Sequence, residues 1–341
     1  MSAGPVLVTG ASSLLGAGVA RTLLDRGDAV RCLQRGLPAP SVLDAGADVV
    51  RGDIRDADTV AAAAAGCSAI VHVAAKVGVS GPPEEYEQVN VAGTANVVAA
   101  AQSGGAERLV HISTPSVAHT GEPIIGATAE PAATHGHTSA YSSTKAEAER
   151  LALSAADDRM GVVAIRPHLI WGPNDTQLVG RIVERAAGGT LPVIGGGTAL
   201  VDTTYIDNAV AAVVAALDRV EPGAPCSGRP YVIANYEPRP VGELLADICA
   251  AAGIEVALRS VPLSVAAPVG GLVERVYARR APDDEPPMTR FLAEQLGTAH
   301  WFDPRPALAD LGWSPEISID EGLERLRAWF EIGGFDSTAD S

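Results

Sequence analysis

The sequence predicts a doubly wound parallel α/β sheet of the Rossmann type with a smaller C-terminal domain, on three observations. Short apolar runs alternate with helical stretches through the first half of the 341 residues. The first run passes directly into a glycine turn, VLVTGASSLLG at 6–16. Past residue 170 the rhythm breaks into segments punctuated by proline and glycine: WGPND, LPVIGGGT, EPGAPCSGRP and NYEPRP.

The apolar runs lie at 5–10, 29–34, 47–53, 69–75, 108–114 and 161–167, and each reads as a strand buried on both faces. Helical stretches at 14–26, 57–65, 85–104 and 140–156 fall between them, which is the order of a parallel sheet covered on both sides. Residues 1–170 are expected to form the dinucleotide-binding domain, with 202–218 returning to it. Residues 171–341, with helices at 208–218 and 241–252, are expected to belong mainly to a substrate-binding domain over the carboxyl ends of the strands. The stretch 279–290, ARRAPDDEPPMTR with its neighbours, reads as a mobile loop, and no internal repeat occurs.

Hydrophobic residues make up 47% of the chain, enough for a sizeable core. Its net charge of −16 argues against a nucleic-acid or anionic-membrane partner, since phosphate surfaces would repel it. Cys32, Cys67, Cys226 and Cys249 show no metal-finger spacing and read as reduced thiols. No basic segment followed by a long apolar run opens the chain, and no apolar stretch approaches the roughly 20 residues that span a bilayer. The nearest, VPLSVAAPVGGLV at 261–273, is broken by prolines and glycines and reads as pocket wall or core. A cytoplasmic protein is expected.

The opening turn has the pattern that cradles a pyrophosphate. Gly10 allows the tight turn, Gly16 allows close helix packing, and the helix start presents backbone N–H groups. Candidate cofactor contacts there are Gly10, Ser12, Ser13, Leu14, Leu15 and Gly16. Ser13 stands where a third glycine is usual, and its hydroxyl would either cap the helix or donate to phosphate. The second strand ends CLQRG, giving Gln34 and Arg35 and no acid. A carboxylate there would bind a ribose 2′-OH, whereas a guanidinium suits a 2′-phosphate, so NADP(H) is favoured over NAD(H). The bland reading of Arg35 is a solvated surface side chain. Asp53, with Ile54 beside it, either accepts from the adenine amino group or caps the following helix.

YSSTK places Tyr141 and Lys145 four residues apart, on one face of a helix. Reducing a ketone requires a proton donor as hydride arrives, and a nearby cation would lower the phenol's pKa toward neutrality. Among 25 basic residues only Lys76 and Lys145 are lysine. A chain that writes arginine wherever a generic cation suffices has kept an ammonium at 145 for its chemistry. HISTPSV ends the fifth strand with Ser113 and Thr114, either of which would position a carbonyl at the sheet edge. Strand-end hydroxyls also commonly satisfy backbone groups.

Together these motifs resemble the extended short-chain dehydrogenase/reductases, specifically their 3β-hydroxysteroid dehydrogenase-like branch. The resemblance runs through TGASSLLG, HVAAKVG, QVNVAGTANVV, HISTPSV, YSSTK, IRPHLIWGP, DTTYIDNAV and LGWSPEISIDEGL. STPSV, RPHLIWGPND, VDTTYIDNA and MTRFLAEQLGTAHW are closer still to the bacterial 2-alkyl-3-oxoalkanoate reductases of olefin and β-lactone biosynthesis. The resemblance implies Tyr141 as acid/base, Lys145 on the nicotinamide ribose and Thr114 as the catalytic hydroxyl, with Ser113 as the alternative. It implies Asn90 near the cofactor, and Ala74, Ala75 and Lys76 on the loop beneath it. Pro167, His168, Leu169 and Ile170 would sit beside the carboxamide. The departure is Ser13 for the central glycine.

The implied reaction is NADPH-dependent reduction of a long-chain apolar keto acid at C3. Its alkyl chains need an apolar tunnel, for which 261–275 is suited. Its carboxylate needs a partner, and His119, His135, His137 and Arg181 are candidates. HGH at 135–137 lacks a third fixed ligand, so no metal is expected. Helices 85–104 and 140–156 would form the family's dimer face, and assembly with pathway enzymes is the other partner reading. Alternative functions are a dehydrogenase for 3β-hydroxysteroids or other bulky apolar alcohols, a sugar-nucleotide epimerase, and a non-catalytic cofactor-binding sensor.

Overall fold

The computed structural model describes residues 4–78, 81–118, 122–137, 139–280, 286 and 288–335. Seven strands form one parallel sheet: β1 (Val6–Thr9), β2 (Val30–Gln34), β3 (Asp48–Arg51), β4 (Ala69–His72), β5 (Arg108–Ile112), β6 (Gly161–Pro167) and β7 (Arg229–Ile233). Their spatial order is β7-β6-β5-β4-β1-β2-β3, so the chain reverses direction of winding between β1 and β4. That switch point opens a crevice at the carboxyl ends of the strands, where ligands of such sheets bind.

Six strands coincide with the six apolar runs. The seventh, Arg229–Ile233, was not legible: only three apolar residues follow Pro230, and the segment lies deep in the proline- and glycine-rich half. Proline is tolerated because β7 is an edge strand pairing only with β6.

The period-2 alternation builds two cores. Val6 and Val8 of β1 face one core, with α1 (Leu14–Asp25) and α6 (Ile206–Arg219) against them. Leu7 faces the other, with α2 (Ala57–Ala64), α3 (Gly93–Gly104) and α4 (Ala140–Leu153). α6 packs on α1: a Cβ at Gly18 of α1 would lie 2.5 Å from Val210 Cγ2, so a larger residue there would force a shift. The helix read at 85–104 is interrupted by a π-helical turn over Glu87–Ala92, and Asn90 sits in it.

The remaining segments cover the strand ends. Strands Arg239–Pro240, Leu200–Val201, His300–Phe302 and Ile124–Ala127 make a second, mixed sheet, drawing on both halves of the chain. Around it pack α5 (Val179–Ala186), α7 (Val241–Ala251), α8 (Leu263–Arg280) and α9 (Arg290–Gly297). The stretch 261–273, read as pocket wall or core, is core only in part: Ala266 is buried against Ile194 and Ala293. It is mostly the start of α8, which packs on α9 but leaves Val265, Val269, Leu272 and Val276 exposed. Their spacing of three and four places them on one helical face. The loop expected at 279–290 lies partly outside the described residues, at 281–285 and 287.

Candidate active site

The glycine turn is built for close approach. Gly10 has φ 78°, and a Cβ there would fall 2.8 Å from the amide nitrogen of Ala74 on the loop after β4. A Cβ on Gly16 would lie 2.3 Å from the Gly10 carbonyl oxygen. Ser13 is the N-cap of α1: its Oγ accepts from the Gly16 N–H at 3.1 Å and donates to the Gly10 carbonyl at 2.8 Å. Both bonds stay within the loop, so the hydroxyl that replaces the third glycine braces the turn. No acidic residue stands in the first turn of α1, which leaves its positive end to an anion.

Gln34 ends β2 buried at 5% exposure, with neither atom of its amide hydrogen-bonded. Such groups are rare in folded proteins, and one at a cofactor crevice fits a polar ligand. Arg35 beside it is exposed. Asp53 accepts from the Arg55 backbone and pairs with its guanidinium at 2.7 Å. Asp56, not Asp53, caps α2, which removes the capping reading of Asp53. Ile54 is buried against Gly93. These residues fit a dinucleotide laid across the switch point.

A hydrogen-bonded chain ties that crevice to α4. Thr9 Oγ1 meets His72 Nδ1 at 2.8 Å, and His72 Nε2 meets Thr94 Oγ1 at 3.1 Å. Thr94 donates to the Asn90 carbonyl at 2.6 Å. The Asn90 amide accepts from Lys76 N at 2.7 Å and donates to Thr144 Oγ1 at 3.1 Å. Asn90 therefore ties the loop after β4 to α4. Burial drives the His72 imidazole down to about 3, so it serves the chain as a neutral ring. Lys76 itself pairs with Glu85 at 2.8 Å.

Tyr141 and Lys145 lie one turn apart on α4, as their spacing predicts. Their electrostatics differ from the expectation. The Tyr141 phenol is hydrogen-bonded with Thr114, yet burial pushes it up to about 12. Lys145 is 3% exposed and gives its ammonium to the Ile112 carbonyl at 2.6 Å, and burial lowers it to about 8. At the phenol, desolvation thus outweighs the hydrogen bond from Thr114. Glu149, a turn further along, opposes the drop at Lys145 while its carboxylate is bound by the buried Arg166. Of the two candidate hydroxyls, Thr114 lines the cavity beside Tyr141 and bonds Ser116 Oγ at 3.2 Å. Ser113 is buried and is not among the cavity residues.

A cavity of about 240 Å³ opens from Tyr141 and Thr114 into the covering segments. Its wall is chiefly apolar: Ile124, Leu178, Ile182, Val201, four side chains of α7 and three of α9. Leu169, at its edge, adopts φ 44°, a strained conformation for a non-glycine residue. Thr204 fixes that turn by donating to the His168 carbonyl at 2.7 Å. Pro167 and Ile170 flank it at the ends of their strands.

Residues of 261–275 do not line the cavity; α8 stands behind α9 instead. His135 bonds Thr134, His137 bonds the Ala133 carbonyl, and Arg181 bonds Gln177, all away from the cavity wall. His119 lies outside the described residues. Sequence reasoning missed Ser116, Gln295 and His300, which line it together with His168 of the run expected beside the carboxamide. Only Ser116, two residues from Thr114, carried a local signal. Among the described residues no cluster of three potential metal ligands occurs, and no helix is long and apolar enough to cross a membrane.

The sequence model of the 3-beta hydroxysteroid dehydrogenase/isomerase family matches residues 7–263. A 2-alkyl-3-oxoalkanoate reductase of Stenotrophomonas maltophilia is 43% identical, over 95% of this chain and 98% of that protein. Another from Shewanella oneidensis is 39% identical, over 94% of this chain and 85% of that protein. The solved structure of MoeE5 with UDP-glucuronic acid and NAD superposes with a TM-score of 0.73, covering 96% of this chain and 99% of that one. At 24% identity that likeness is one of fold. The chain belongs to the 3-beta hydroxysteroid dehydrogenase/isomerase family and is an NAD(P)-dependent oxidoreductase of the extended short-chain type.

Proposed function

We propose that this protein reduces the 3-keto group of a 2-alkyl-3-oxoalkanoate to the 3-hydroxy acid, using NADPH. The observation that carries this is the apolar cavity ending at Tyr141 and Thr114, with no lysine, arginine, aspartate or glutamate among the described residues of its wall. Such a wall suits alkyl chains and does not suit a sugar nucleotide, whose phosphates need fixed cations. The relatives that carry the reductase name match this chain nearly end to end.

Gly10, Ser13 and Gly16 shape the loop for the pyrophosphate, and Gln34 with Arg35 faces the adenosine ribose. Arg35 supports a 2′-phosphate, since no carboxylate ends β2 to repel it. The nicotinamide, when bound, supplies the hydride to C3. Thr114 orients the keto oxygen, and Tyr141 delivers the proton that completes the alcohol. A phenol held at about 12 is fully protonated at neutral pH, which suits a donor. Lys145, still cationic below about 8, stabilises the phenolate left behind. Asn90 acts through Lys76 and Thr144, not on the substrate.

The family description supports one other reading, a 3β-hydroxysteroid dehydrogenase. An NADPH-oxidation assay comparing a 2-alkyl-3-oxo fatty acid with a 3-ketosteroid separates them, and parallel runs with NADH test the cofactor. Faster turnover of the steroid would overturn the reductase reading; a preference for NADH would overturn the role given to Arg35.

A further inference from the structure

We infer that His168 and His300 form the subsite that takes the substrate's carboxylate, beside the reacting carbonyl. This rests on the reductase reading, because only an acid substrate brings an anion into the cavity. The carboxyl carbon of a 3-oxo acid is separated from the reacting carbon by C2 alone. With the keto oxygen at Tyr141 and Thr114, the carboxylate therefore lies in the same cavity. An anion in an apolar enclosure is costly unless it meets strong donors.

The wall offers few. Among the described residues it contains no lysine or arginine, and its remaining polar side chains are Ser116, Gln295, His168 and His300. Ser116 shares its hydroxyl with Thr114. Gln295 brings a neutral amide. Burial disfavours a charged imidazole, but of these groups only an imidazole can take a proton, and an anion lying beside it favours that form.

The two rings are also held in place. They are buried, at 6% and 0% exposure, and meet edge-on with centroids 5.9 Å apart. His300 Nε2 bonds Thr298 Oγ1 at 2.9 Å, which sets that ring's orientation. His168 packs edge-on against Phe302 with centroids 5.2 Å apart, and Thr204 anchors its carbonyl. One histidine follows the large sheet and the other belongs to the second sheet, so the subsite exists only where the two meet.

The test compares the 2-alkyl-3-hydroxy acid with its methyl ester, run as NADP⁺-dependent oxidation because 3-oxo acids lose CO₂. In that direction the C3 hydride passes to NADP⁺ and the hydroxyl proton to the phenolate form of Tyr141, whichever compound is used. The wild-type enzyme is expected to favour the acid in kcat/KM by roughly 10- to 100-fold, the size of hydrogen bonds to a charged group. His168→Leu and His300→Leu are each expected to bring the acid-to-ester ratio down by about 10-fold or more. His168→Gln and His300→Gln, which keep an N–H donor and fold more readily, are expected to give intermediate ratios. A wild-type ratio near one, or an unchanged ratio in every variant, overturns the subsite. Turnover of a 3β-hydroxysteroid with none of either acid or ester overturns the reductase reading itself.

Discussion

The cofactor crevice and the substrate cavity are made in opposite ways. The crevice is scaffolded by backbone: glycines whose missing Cβ atoms let the first loop touch the fourth, and a serine that braces its own turn. The cavity is scaffolded by side chains from Thr114 to His300, with polar groups only where chemistry or recognition needs them. A backbone site tolerates almost no added atom. A side-chain site tolerates reshaping and loses selectivity before it loses the fold.

Removing the donor at the junction of the two regions should have the largest effect. Tyr141→Phe is expected to slow turnover by roughly 10²- to 10⁴-fold while leaving NADPH affinity near wild type. Full activity in that variant, measured by NADPH oxidation, would sink the proton-donor role. Next comes the crevice itself. Gly16→Ala forces a methyl to 2.3 Å from the Gly10 carbonyl, and overpacking of this kind costs about 1–3 kcal/mol. Both melting temperature and NADPH affinity should drop; an unaltered protein would mean the loop yields and the contrast with the cavity is false.

The pH profile tests the electrostatics that burial sets. Lys145 is lowered to about 8, so its ammonium is present below that pH and lost above it. Tyr141, raised to about 12, remains a phenol across the same range. The reduction rate is therefore expected to be flat near pH 7 and to fall above about pH 8 as a single proton leaves Lys145. A rate that holds constant to pH 10 would separate Lys145 from the chemistry. The smallest effect is expected at Ser13→Ala, which removes the α1 cap at a cost of about 1 kcal/mol. Its melting point should fall slightly and its NADPH affinity hardly change. A large loss of affinity would place the hydroxyl on phosphate after all.

Much of the crevice was legible because its determinants are neighbours in sequence. Gly10, Ser13 and Gly16 occupy one turn, and the pairing of Tyr141 with Lys145 follows from four residues of helix. Their energetics were not legible. Spacing put a cation near the phenol, but the surrounding residues that desolvate both groups come from distant segments, and desolvation dominates. His72 read as one more strand residue, although it links Thr9 to Thr94. Of the carboxylate candidates, His135, His137 and Arg181 lie off the cavity wall, whereas His168 and His300, next to or inside strands, line it.

The sequence by itself determined the fold class, six of the seven sheet strands, the cofactor turn and the Tyr–Lys pair. Each depends on a period or spacing that local backbone geometry imposes on contiguous residues. Only the tertiary structure decided which hydroxyl faces the cavity, how burial sets the two titrating groups, and where an anion would be met. Those are properties of surfaces brought together from remote parts of the chain, and the free energy of burial depends on what surrounds a group, not on what precedes it.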